Sequence, residues 1–223
     1  MHPDPPGEKT AYGERPPEIS IIIVTYHSAD VIGACLDSIE SAGGVSREVF
    51  VVDNASGDGT AEMICAKYPS ARLIPNSTNR GFSAANNQAI PLCRGRYFFF
   101  LNPDAVLDGP CLETAVRYMD EKPHIGLAGT KVVYPDGSMQ ETISLRYPGE
   151  KHTTGELAGL TGSIACVLGA SMIARAELVR DIGGFDEDYF LYGEDQELCL
   201  QIRRRGFEIG YIGDAVVRHI GGH

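Results

Sequence analysis

Three runs of the chain, ISIIIVTY (Ile19–Tyr26), EVFVVD (Glu48–Asp53) and YFFFL (Tyr97–Leu101), are apolar at almost every position instead of every second one. A strand with that pattern has to be covered on both faces, which confines it to the inside of a sheet layered between helices. The intervening sequence supplies the helices. Val31, Ile32, Cys35, Leu36 and Ile39 recur at helical spacing, with Ser28 expected as the cap and Ala42 as the end. A second helix is expected from about Gly57 to Lys67, then a short strand RLIPN and a helical stretch GFSAANNQAI. After YFFFL, another helix opens near Pro110 and closes before Pro123. Strands and helices alternating in this way predict an α/β fold with a mostly parallel central sheet, because right-handed crossovers return each helix to the sheet.

With 223 residues the chain has the length for one such domain, expected over residues 19–223. Residues 1–18 are read as a flexible leader, since the first seventeen hold five prolines, two glycines and no periodic pattern. From Tyr134 to Gly162 the periodicity fades, which predicts long loops or short edge strands over the sheet. CVLGASMIA is expected as one strand, and ARAELVRDIGGFDE as a helix closed by Gly183 and Gly184. GEDQELCLQIRRRG follows as a helix with Arg203 to Arg205 in its last turn, and EIGYI with AVVRH forms the final strand. Leu157 to Ala174 is uncharged and long enough to suggest a membrane span. Its glycines, serines and threonine favour a loop running into a buried strand instead.

Acidic residues outnumber basic ones by 30 to 19, a net charge of −11, so nucleic acid is not an expected partner. The six cysteines lie far apart, without a CxxC pair and without a preceding secretory signal. Neither a zinc site nor a disulfide framework is expected, and a reduced, cytoplasmic compartment is.

In open parallel sheets, ligands sit outside the carboxyl ends of the strands. Polar groups fall at each of those ends: Thr25 and Tyr26, then Asp53 and Asn54, then Asn79 and Arg80, then Asp104 behind Pro103. Singly, Asp53, Asn54 and Asn79 also suit helix caps, and Asp104 suits a turn. No GxxxxGK[ST] loop, no GxGxxG after the first strand and no GxSxG elbow occurs, which removes the usual signatures of phosphoryl transfer, dinucleotide redox chemistry and serine hydrolysis. A phosphate-bearing ligand would then be held through a divalent cation bridging a carboxylate to phosphate oxygens.

Taken in order, SIIIVTYHSADVIGACLDSI, VVDNASGDGT, NRGFSAANNQAI, FFFLNPDAVL and GGFDEDYFLYGEDQELCLQIRRRG resemble the family 2 glycosyltransferases of GT-A fold, especially their rhamnosyltransferase-like branch. The resemblance runs from Ile19 to His223. It implies inverting transfer of a sugar from a nucleotide diphosphate sugar to an acceptor hydroxyl, with dTDP-rhamnose the first donor to expect and UDP-sugars fitting the same motifs. It also implies a Mg²⁺ or Mn²⁺ cofactor on Asp104, completed by His219, with Asn102 standing where the family carries the first carboxylate of its DxD motif. Asp53 is implied to meet the base, Thr25 and Tyr26 to line the nucleotide pocket, and Asn54, Asn79, Arg80 and Gly81 to lie along the nucleotide and diphosphate. Asp195 is implied as catalytic base and Glu194 as its neighbour in acceptor binding. A carboxylate pair opening a helix has a competing role as dipole partner. The acceptor is expected to be a glycan or lipid-linked saccharide of cell-surface polysaccharide synthesis, worked on at the inner face of the membrane; Arg203 to Arg205 are read first as a helix-terminal charge cluster and second as a contact to anionic lipid. Two rivals remain: a non-catalytic nucleotide-sugar-binding module, and a nucleotidyltransferase, which would carry a Gly-rich basic loop where this chain has TYHSAD.

Overall fold

The computed structural model describes residues 16–145 and 162–220. These residues form ten strands: β1 Ile19–Thr25, β2 Arg47–Asp53, β3 Ala71–Pro75, β4 Tyr97–Leu101, β5 Ala105–Asp108, β6 Ile125–Val133, β7 Ile143–Ser144, β8 Cys166–Val167, β9 Ser171–Arg175 and β10 Glu208–His219. Among the described residues six α-helices accompany them: α1 Ile32–Ser41, α2 Thr60–Lys67, α3 Phe82–Ala89, α4 Cys111–Glu121, α5 Ala176–Ile182 and α6 Glu194–Arg204. Eight strands form one sheet in the order β3-β2-β1-β4-β9-β6-β10-β5, and β7 pairs with β8 apart from it. All run parallel except β9 and β5.

The continuous apolar runs divide as a doubly covered sheet requires. In β1, Ile19, Ile21 and Ile23 enter one buried cluster with Ile32, Leu36, Ile64 and Leu112 of the helices. Ile22 and Val24 enter a second cluster with Ala85, Val179, Leu198 and Ile202. The phenylalanines of β4 split the same way, Phe99 to the first side and Phe98 and Phe100 to the second. Helices α1, α2 and α4 therefore cover one face and α3, α5 and α6 the other.

Several expectations are corrected. Ser28 does not cap the first helix with its side chain; its hydroxyl donates to the Tyr26 carbonyl at 3.2 Å, and α1 begins at Ile32. The second helix starts at Thr60, later than Gly57, because the Asp58 carboxylate accepts the Thr60 amide and fixes the entry turn. CVLGASMIA is two strands, β8 and the antiparallel β9, separated at Leu168–Ala170. Strand β6 lies inside the stretch between the Pro123 turn and Tyr134, where no strand was expected. Residues 1–15 of the expected leader, and 157–161 of the span-like stretch, lie outside the described residues. Among the described residues no helix is long and apolar enough to cross a membrane. The cysteines described are all unpaired. Helix α5 closes as expected: Gly183 sits at φ 94°, and the Gly183 and Gly184 amides return to the Arg180 and Val179 carbonyls.

Candidate active site

Strand order reverses at β1: the chain moves outward through β2 and β3, then returns to place β4 on the other side of β1. A crevice forms at such a switch point, outside the carboxyl ends of the two strands. Here it is a cavity of about 500 Å³, to which Val24 and Tyr26 come from the end of β1 and Asn102, Pro103 and Asp104 from the end of β4.

Strand register decides which side chains meet there. The β1–β2 ladder sets Thr25 opposite Asp53, and the Thr25 hydroxyl donates to Asp53 Oδ1 at 2.9 Å. Asp53 also accepts the Ser56 hydroxyl and the Ser56 amide, so both its oxygens are engaged behind the cavity. Asn54 reaches across to the loop before α3: its Nδ2 donates to the Gly81 carbonyl at 3.0 Å, and its Oδ1 accepts from Asn76 at 2.9 Å. Asn79 folds back to accept the Gly81 amide at 2.9 Å. Gly81 is required: it lies at φ 82°, and a β-carbon there would stand 2.6 Å from the Phe190 carbonyl, which accepts the Phe82 amide. Gly81→Ala should therefore lower stability by about 1–3 kcal/mol and part the 190–192 wall from α3; thermal unfolding measures the first and nucleotide titration the second.

The end of β4 is a turn. The Ala105 amide returns to the Asn102 carbonyl at 3.2 Å, with Pro103 at the position whose fixed φ suits it. The Asn102 amide continues the β4–β9 ladder to the Ala170 carbonyl at 3.0 Å. The turn feeds β5, which pairs antiparallel with β10 so that His219 stands opposite Ala105. Asp104 and His219, 115 positions apart in sequence, are thereby brought to 3.2 Å between Oδ1 and Nε2, and both are nearly covered. Asn102 Nδ2 lies 3.3 Å from the same ring nitrogen.

A carboxylate oxygen and an imidazole nitrogen at this separation fit adjacent corners of an octahedral cation, which lie about 3 Å apart for bonds of 2.0–2.1 Å. Among the described residues no group of three or more such side chains is present. Two protein donors suit a small divalent cation that takes its remaining ligands from phosphate oxygens and water.

Tyr26, Asn54, Asn79, Gly81, Asn102, Asp104 and His219 thus line one cavity. Thr25 and Asp53 sit directly behind it. Arg80 is exposed beside it, donating its backbone amide to Asn54 at 3.4 Å. Glu194 and Asp195 do not line the cavity; they open α6 immediately after the Phe190–Tyr192 wall that does. Asp195 is buried at 7% exposure, accepting the Gly169 amide at 2.9 Å, and the next residue's carbonyl holds Asn102. Burial pushes the Asp195 carboxyl above its ordinary range, opposed by the Gln196 and Gly169 amides. Glu194 is pushed up the same way, and its Oε2 is buried with no hydrogen-bond partner among the described residues.

Arg203 is at variance with a lipid-contacting cluster, because it is buried against the Gly162 carbonyl while Arg204 and Arg205 are exposed. The sequence reading also passed over the wall itself. Phe190, Leu191 and Tyr192 are 57%, 51% and 78% exposed at the cavity mouth, with Tyr192 at φ 68°. In the sequence their one local mark is an apolar triplet directly ahead of Gly193; their exposure is not legible there.

The solved structure of the mannosyltransferase PcManGT from Pyrobaculum calidifontis, in complex with GDP-Man and Mn²⁺, superposes with a TM-score of 0.71 at 23% identity, over 92% of this chain and 57% of that one. S. aureus TarS 1-349 in complex with UDP-GlcNAc gives 0.68 at 23%, over 92% and 60%. The chain thus spans little more than half of these neighbours, which share its GT-A fold. In sequence, it is 24% identical to the N-acetylglucosaminyl-diphospho-decaprenol L-rhamnosyltransferase of Mycobacterium tuberculosis, over 92% of this chain and 76% of that protein. It is 25% identical to the O-antigen biosynthesis protein RfbC of Myxococcus xanthus, over 86% of this chain and 16% of that protein. The family described as "Glycosyltransferase like family 2" matches residues 16–222, and with the strand-end cavity and its carboxylates already in place, the chain belongs to glycosyltransferase family 2.

Proposed function

We propose that the chain is an inverting, cation-dependent glycosyltransferase of cell-surface polysaccharide synthesis, with a nucleotide diphosphate sugar in the β1–β4 cavity. The observation that carries this reading is the division of acidic groups. Asp104 stands with His219 at the cavity, while Asp195, buried with a raised pKa, accepts the amide of Gly169, whose neighbour Ala170 holds the Asn102 amide. The first suits departure of a diphosphate, the second acceptance of a proton.

Tyr26 and Asn54 flank the nucleotide, Asp53 and Thr25 form the floor of the base subsite, and Asn79, Arg80 and Gly81 border the diphosphate. A divalent cation held by Asp104 and His219 would offset charge on the departing nucleoside diphosphate. Asp195 takes the acceptor's hydroxyl proton as that oxygen bonds to the anomeric carbon and the carbon–oxygen bond to the diphosphate breaks. Glu194 orients the acceptor from the adjacent position. The rhamnosyltransferase relative supports L-rhamnose as the sugar moved and a lipid-linked saccharide as acceptor; dTDP-rhamnose is the donor, and the cytoplasmic face of a membrane the place, that this reading adds. The UDP-GlcNAc complex of a fold neighbour supports a UDP-sugar as the second donor reading.

A base held above the ordinary aspartate range of about 3.9 must lose its proton before it works. The acid limb of kcat/KM against pH is therefore expected above that range, with activity falling as pH drops through it. Thermal stabilisation by a panel of nucleotide sugars with Mn²⁺ tests the donor, because a ligand bound to the folded state raises its stability with affinity and concentration. Stabilisation by dTDP-rhamnose above UDP-sugars is the expected result; no stabilisation by any member would defeat the reading.

A further inference from the structure

Gln140 belongs to no strand end and to none of the motifs above, yet it touches His219 twice. Its Nε2 donates to the His219 backbone carbonyl at 2.7 Å, and its Oε1 lies 3.0 Å from His219 Nδ1. A carbonyl oxygen only accepts, so the first contact settles which end of the amide is nitrogen. Oε1 must then face the ring, and an oxygen acceptor facing Nδ1 requires the proton to sit on Nδ1. In the neutral ring Nε2 is left as a lone pair. That lone pair points to where Asn102 Nδ2 and Asp104 Oδ1 converge, at 3.3 and 3.2 Å.

The backbone makes this arrangement stiff. Beyond β6 the chain turns at Tyr134–Ser138, where the Tyr134 amide donates to the Ser138 carbonyl at 2.8 Å and Gly137 takes φ 86°. It returns so that the Gln140 amide bonds the Val132 carbonyl at 3.0 Å. Val132 lies opposite Val217 of β10, two residues before His219. Gln140 is therefore clamped by its backbone to β6, the neighbour of the strand that presents the histidine.

We propose that Gln140 is a positioning residue that locks His219 in the Nδ1–H tautomer, so that Nε2 is held open toward Asp104 for a divalent cation. Histidine ligands generally donate their second N–H to a fixed acceptor, and loss of that acceptor costs about 10–100-fold in metal affinity. This rests on the reading that Asp104 and His219 hold the cation.

The test uses metal-free protein labelled with ¹⁵N-histidine, the His219 signals being assigned by their loss in His219→Ala. The expected spectrum shows a protonated Nδ1 and an unprotonated Nε2. In Gln140→Leu the proton should move to Nε2, where Asp104 can accept it, and Mn²⁺ affinity followed by electron paramagnetic resonance should fall about 10–100-fold. Gln140→Glu loses the donor to the His219 carbonyl but keeps an acceptor facing Nδ1, so the proton should stay on Nδ1. An Nδ1–H ring in Gln140→Leu would overturn the proposal, as would a switched tautomer with undiminished Mn²⁺ affinity. If His219→Ala binds Mn²⁺ as tightly as the natural chain, the cation reading itself falls and takes the proposal with it. That outcome is separate from the tautomer result.

Discussion

Asp195→Asn lowers sugar transfer by about 10²–10⁴-fold, the usual contribution of a general base, while nucleotide binding and folding survive. The amide keeps one oxygen to accept the Gly169 hydrogen bond that ties the side chain across the fold, so besides basicity the variant gives up only the local acceptor of the neighbouring Gln196 amide. Stability gives an independent check. A carboxyl whose folded pKa is raised by burial ionises in the unfolded chain first, so it adds nothing below the unfolded pKa and costs stability as pH rises through the folded one. Removing the charge relieves that cost. The variant is expected to melt at neutral pH no lower than the natural chain. A helix-capping or dipole role for Asp195 would give the reverse pattern, lower stability with activity kept.

Asp104→Ala removes the Mn²⁺ dependence of nucleotide binding. In the natural chain, calorimetric titration with the donor should give tighter binding with Mn²⁺ than without. In the variant the two affinities should coincide, at least about 30-fold weaker than the natural complex with Mn²⁺, which corresponds to roughly 2 kcal/mol. Asp104 also faces His219 across 3.2 Å and sits in a proline turn, so a purely structural role would appear as lower melting temperature with Mn²⁺ dependence intact.

The strands whose ends make the cavity were legible because β1 and β4 are apolar without alternation, a pattern only a doubly covered sheet accepts. Strand β6 was not expected, and the two glycines inside it, Gly126 and Gly129, carry no local strand signal. In the fold they are close approaches: a β-carbon on Gly126 would meet Ile202 at 2.6 Å, and one on Gly129 would meet Val167 at 2.9 Å. That information belongs to partners distant in sequence. The same limit hid the split of CVLGASMIA, although the break carries the Gly169 amide that Asp195 accepts.

At the site, Asp104 stood out as a carboxylate behind a strand-end proline, and its meeting with His219 follows from the β5–β10 pairing, which no local pattern announces. Asp53 was legible as a strand-end acid, but its engagement by Thr25 and Ser56 was not. Gln140 lay in a stretch with fading periodicity, and its two contacts to His219 span 79 positions.

The stereochemistry of transfer tests the central claim most directly. One displacement by an acceptor oxygen, with Asp195 as base and the diphosphate leaving from the opposite face, must reverse the anomeric configuration. Proton NMR of the first product formed from a donor of known configuration is predicted to show the opposite anomer. A product with the donor's own configuration would require two displacements and would contradict the account.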